Sequence, residues 1–248
     1  MPDGCYVYAI VPASATLPDD ATGFSAQLWK IAWRDIAAVV SSTRTGSIDP
    51  TPEHMLMHEA IVEALHTENA TLPARFGTVL SDPRTVSQAL EKQYDVLAAD
   101  LKRLGDTVEF TVTALWPDDQ RQLHIGQADG SAAEHEIVSA STVSRGRAYM
   151  RRRMLQYRDA DMLRKRAQAL AADVVSALES HSIDHRGHLC PTGRIALRDV
   201  YLVARGQQPA FMAAFDELHA QQRAARLLLS GPWPPYSFLT PRRGAIDQ

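Results

Sequence analysis

From Cys5 to Val11 the chain reads CYVYAIV, a run of β-branched and aromatic residues that stops at Pro12 and predicts a strand. Ala13–Phe24 carries Pro, Asp and Gly and reads as a loop. QLWKIAW and IAAVVSS follow closely enough to pair as a hairpin about Arg34–Asp35. The period then changes to that of helices. Thr51–Pro52 supplies an N-cap and a proline at the first helical position, ahead of Met55, Ile61, Val62 and Leu65. Asp82–Pro83 repeats the device, and Val86, Leu90, Tyr94, Leu97, Leu101 and Leu104 form one stripe that ends at Gly105. TLPARFGTVL, between these helices, predicts a short extended piece.

A second pattern begins after Gly105. TVEFTVTALW (Thr107–Trp116) alternates as a half-buried strand does, and Pro117–Ala140 reads as a long acidic loop. A long helix is expected from about Ser141 to Ser180, with Leu155, Leu163, Ala167, Leu170, Val174 and Leu178 facing inward. IDHRGHLC predicts a loop or short strand and DVYLVAR a clearer strand. Pro209 opens a helix carrying Phe211, Phe215 and Leu218, and Leu227–Leu229 forms a last strand that Gly231 and Pro232 should end. From Thr107 the order is βαββαβ, which is ferredoxin-like. The expected fold is α+β with a modified α+β domain over 1–105, a ferredoxin-like domain over 106–231, and a C-terminal strap and tail over 232–248.

Composition narrows the class. An apolar fraction of 45% and a charged fraction of 22% suit a globular protein, and no apolar run reaches membrane-spanning length. The N-terminal apolar run lacks a preceding basic region, so a secretory signal is not expected. Cys5 and Cys190 lie too far apart in sequence to suggest a disulfide framework, which makes a reducing cytoplasm the expected compartment. The net charge of −3 is unevenly spread: residues 106–140 carry 7 Asp/Glu against 1 Arg, and residues 141–182 carry 9 Lys/Arg against 4 Asp/Glu.

Candidate chemistry is sparse. His54 and His58 sit at i and i+4 beside Glu59 and Glu63, but the H-E-x-x-H arrangement is absent, and a partly exposed helix face is the reading. His181, His185, His188 and Cys190 supply zinc-type ligands, though a structural zinc site normally joins two separated pairs. A metal-dependent enzyme on that cluster stays as an alternative. So does an RNA-binding module, given the βαββαβ order and the basic RGRAYMRRRMLQYRDADMLRKR, although the aromatic signature of RNA-reading strands is missing. There is no nucleophile elbow and no phosphate-cradling glycine loop. The expectation is a protein that is not an enzyme, uses no cofactor or metal and binds no nucleic acid.

Two motifs carry more. LPARFGTVL (Leu72–Leu80) and LLLSGPWPPYSF (Leu227–Phe238) resemble the gas vesicle protein F/L family, GvpF and GvpL. YVYAIV at the start, GRAYMRRR at Gly146–Arg153 and VYLVAR at Val200–Arg205 are similar to its other landmarks, in order along the chain. The resemblance implies a cytoplasmic accessory or minor structural protein of the gas vesicle. It implies association with the hydrophobic major shell protein, GvpA-like, and with other accessory proteins, and a role in limiting shell-protein aggregation during nucleation. It brings no catalytic residue. Rigid aromatic anchors suit such a partner, because they lose little entropy per area buried. Arg75, Phe76, Gly77, Trp233, Pro234, Pro235, Tyr236 and Phe238 are therefore expected either to contact a partner or to fill a domain seam, with Gly77 a candidate for a positive φ.

Overall fold

The structure, a computed structural model, describes residues 4–18, 22–24, 26–43, 46–117, 142–190 and 194–241. The chain divides into two compact units, Met1–Glu109 with Pro232–Gln248, and Phe110–Gly231. The content is mixed helix and antiparallel sheet. Most of the acidic Pro117–Ala140 segment lies outside the described residues.

In the first unit β1 (Gly4–Pro12) is the axis of the sheet. β2 (Trp29–Trp33) and β3 (Ile36–Thr43) form the expected hairpin, Trp33 opposite Ile36 and Arg34 at φ 54°, a left-handed value that two-residue hairpins demand. β3 runs antiparallel to β1, with a register shift between Val7 and Ala9. This bulge changes the phase of β1, so Tyr6, Tyr8, Ala9 and Val11 all join one core cluster with Ala37, Val39, Ile61, Val62 and Leu65. TLPARFGTVL is two short strands rather than one extended piece. β4 (Leu72–Pro73) and β5 (Val79–Leu80) both pair with β1, and Ala74–Thr78 turns between them.

Helix α1 (Pro52–Glu68) starts as its cap predicts, with Thr51 Oγ1 accepting from the His54 N–H. Its burial begins at His58, so Met55, in the first turn, is exposed instead of inward-facing. α2 (Pro83–Leu104) is capped by Asp82, which accepts from the Thr85 N–H, and packs against β1, β2 and β3.

The second unit holds a sheet in the order β7 (Asp184–Leu189), β8 (Ile195–Ala204), β6 (Thr107–Leu115), β9 (Arg226–Trp233). α3 (Thr142–Leu178) follows β6 in the chain, and α4 (Gln208–Gln221) follows β8. Phe110 and Tyr201 pack on Phe211 at centroid distances of 5.1 and 5.4 Å. α3 buries Ala167, Leu170, Val174 and Leu178, but Leu155 is exposed, as are Met150 and Met154. A helix of 37 residues is about 55 Å long. The ten-residue β8 reaches only about 33 Å, so the helix outruns the sheet that could cover it.

The final strand also differs from expectation. β9 continues through Gly231 and Pro232 to Trp233. Gly231 sits at φ 119°, which only glycine adopts without strain, and Pro232 costs no ladder bond on an edge strand.

Candidate functional site

The two motifs singled out in the sequence both pack on α1 and Tyr6. In the first, Thr78 N–H and Thr78 Oγ1 close the turn by donating to the Arg75 carbonyl, at 3.2 and 2.7 Å. Gly77 takes φ 86°, as anticipated, and its N–H donates to the Tyr6 hydroxyl at 3.0 Å. Arg75 is exposed. Phe76 is half-buried in an aromatic cluster, 6.3 Å from Tyr6, 6.3 Å from Phe24 and 5.8 Å from His58, centroid to centroid.

His58 belongs to that cluster and is only 3% exposed, which overturns its reading as part of a partly exposed helix face. The Ala74 carbonyl can only accept, so His58 Nε2 carries the proton and donates to it at 3.1 Å. Nδ1 must then accept from the Tyr6 hydroxyl at 3.0 Å. Both ring nitrogens are used, leaving neither lone pair for a metal. Burial pulls the His58 pKa down to about 4, against a weaker opposing effect of the Ala74 bond. Burial likewise raises the Tyr6 and Tyr8 hydroxyls above their ordinary range.

The second motif is a strap. Pro234 and Pro235 are buried, Tyr236 is half-buried against the α1 core, and Phe238 is fully buried in a short 3-10 turn, Tyr236–Phe238. Two acidic side chains pin it. Glu109 accepts from the Ser237 N–H at 2.7 Å and from Ser237 Oγ at 2.8 Å. Asp100 accepts from the Thr240 N–H at 2.9 Å and from Thr240 Oγ1 at 2.8 Å. Arg103 joins both ends, donating to Asp100 at 2.7 Å and to the Phe238 carbonyl at 2.8 Å. Burial opposes the charge on Asp100, but the bonds from Arg103 and Thr240 outweigh it and hold its pKa below the ordinary value.

Trp233 is left 39% exposed. It lines a cleft of about 240 Å³ with Glu59, Glu63, Glu109, Pro234 and Tyr236. Glu59, Glu63, Glu109, Asp100 and Arg103 were not anticipated as site residues. Asp100 did carry a signal, being an acid where the period of α2 places buried residues; Glu109 falls with Thr107, Thr111 and Thr113 on the polar phase of β6 and carried none.

The alternative chemistries find no such geometry. Among the described residues no group of three or more His, Cys, Asp or Glu is placed to hold a metal ion. His185 and His188 are three apart on β7, so they project to opposite faces. The one tyrosine of DVYLVAR, Tyr201, is fully buried against Phe211 and offers no platform for a base. No helix of the described residues is long and apolar enough to cross a membrane.

Fold and site together define a mixed helix-and-sheet protein that carries a pinned aromatic strap beside an acid-lined cleft. Residues 4–240 match the model of the family described as gas vesicle synthesis protein GvpL/GvpF, and the chain belongs to that family. It is 28% identical to gas vesicle protein L of Streptomyces sp. (strain CB03234), covering 94% of this chain and 91% of that one. It is 24% identical to gas vesicle protein F2 of Halobacterium salinarum, covering 97% and 94%. The fold is similar to the crystal structure of gas vesicle protein GvpF from Anabaena sp. PCC7120, with a TM-score of 0.75 at 17% identity over 97% of this chain and 98% of that one. GvpF from Microcystis aeruginosa gives 0.71 at 16%, over 96% and 99%.

Proposed function

We propose that the protein is a non-enzymatic accessory component of gas vesicle assembly. In this reading it works in the cytoplasm at the growing vesicle, binds the hydrophobic major shell protein alongside other accessory proteins, and limits shell-protein aggregation during nucleation. Its second unit is a ferredoxin-like domain, and its strap belongs functionally to the first. The observation that carries the reading is Trp233, a large aromatic held open to solvent on a segment whose following residues are bonded down at Ser237 and Thr240. Leu56, 65% exposed, lies one turn before Glu59 on the same helical face and adds an exposed apolar side chain to it. A protein that receives an apolar partner gains from anchors ordered in advance. The test is retention of the shell protein in solution, followed by light scattering with and without this chain. Trp233→Ala should lose the protection while melting like the parent. Undiminished protection by Trp233→Ala would remove the strap from the mechanism, and no protection by the parent protein would remove the function.

A further inference from the structure

The cleft beside Trp233 is smaller than the roughly 300–1,000 Å³ of small-molecule sites, and at about 240 Å³ it has room for one long side chain. Its walls differ in kind. Trp233, Pro234 and Tyr236 form an apolar side, whereas Glu59, Glu63 and Glu109 form an acidic one with no basic residue between them. Glu59 and Glu63 sit one turn apart on the exposed face of α1, a like-charge spacing that disfavours the helix itself. The ion pairs seen among the described residues are Arg103–Asp100 and Lys165–Asp161, so neither glutamate is neutralised in that way. Glu109 is 6% exposed and its two oxygens hold the strap, which fixes a third acid at the base of the cleft. Burial raises the Tyr236 hydroxyl above its ordinary range, and Glu59, Tyr6 and Glu109 nearby raise it further. An aromatic wall facing carboxylates suits a cation on an alkyl stem: the stem packs on the rings and the head group meets the acids.

We infer that this cleft receives one cationic side chain, Arg or Lys, carried on the apolar segment of the shell protein that the strap face binds. The inference rests on the function proposed above for the identity of that partner. It adds the element of register. Apolar contact with Trp233 and Leu56 is tolerant of sliding, and a single charge seated between Glu59 and Glu63 sets where the segment stops.

The test uses two synthetic amphipathic helical peptides that are identical except for a central Arg or norleucine, titrated against the full chain by fluorescence anisotropy. The parent protein should prefer the Arg peptide by about tenfold, and raising salt from about 50 to about 500 mM should reduce that preference. Glu59→Gln/Glu63→Gln should bind both peptides equally while its thermal melt matches the parent, since both glutamates are exposed. Equal binding of the two peptides by the parent protein overturns the inference, as does a preference that survives in the double variant. Spermidine bound as tightly as the Arg peptide also overturns it, by reassigning the cleft to a soluble polyamine. Shell-protein retention is measured in parallel. Retention without peptide discrimination sinks the cleft and spares the proposed function; discrimination without retention does the reverse.

Discussion

His58 makes the stability of the first unit depend on pH in a window where few other side chains titrate. Its unfolded pKa is near 6.5 and its native value is about 4, because the charged ring would have to exist without water among Tyr6, Tyr8 and Phe76. The native pKa is depressed, so the stability is fully present above pH 6.5 and lost as pH falls toward 4. At pH 5 the unfolded chain holds nearly a whole proton at this ring and the native chain about a tenth of one. Integrated from neutral pH, the difference is about 2 kcal/mol, rising to about 3 kcal/mol at pH 4. Geometry points the same way. A protonated Nδ1 would donate to Tyr6, whose oxygen already accepts from Gly77, and the Tyr6 proton would lose its acceptor. Urea unfolding at about pH 8 and about pH 5, read by far-UV circular dichroism, measures the effect against His58→Gln, a side chain that does not titrate. The parent should lose about 2 kcal/mol more than the variant between the two conditions. Equal losses would refute the assignment, and so would a His58 ring resonance titrating above pH 6.

Three further outcomes follow from the site. Glu109→Gln turns an amide N–H₂ toward one of the two Ser237 donors, and should cost about 1–3 kcal/mol and expose Phe238 to chymotrypsin in limited proteolysis. Gly77→Ala meets no atom within 4 Å but holds φ 86°, so it should lower stability by about 1 kcal/mol, with Gly77→Asn milder in the same melt. Asp100→Asn should flatten acid sensitivity below about pH 4, because a carboxylate held below its ordinary pKa contributes stability that is lost as pH falls through its folded value. Its parent and variant acid titrations should converge toward low pH.

What could be read from the sequence was what is local. Thr51–Pro52 and Asp82–Pro83 started their helices because a cap and its N3 donor lie three residues apart. The Arg34–Asp35 hairpin and the inward face of α3 from Ala167 onward were equally local. The misreadings concern relations over distance. Met55 and Leu155 fit their helical stripes but are exposed, and no periodicity reports where the cover over a helix ends. His58 shared a face with His54 in the sequence, yet its burial depends on Phe76 and on Tyr6 and Tyr8, alternate residues of a strand far earlier in the chain. The strap was visible as an aromatic, proline-rich oddity. Its anchors were not, since Glu109 is 128 residues from Ser237 and Asp100 is 140 from Thr240.

Those long separations bear on why the strap is rigid at one end and open at the other. Ordering a segment costs about 1–2 kcal/mol per residue. A free tail would meet that cost on binding and weaken any contact made by its tryptophan. Here Glu109 and Asp100 hold residues 237–240 by four hydrogen bonds, and Pro234 and Pro235 restrict the chain back toward Trp233. The ordering is completed when the chain folds, so contact made at Trp233 is discounted only by the motion of one side chain. Asp100, an acid within the apolar face of α2, and Glu109, on the polar phase of β6, are therefore what lets a C-terminal segment act as a fixed surface.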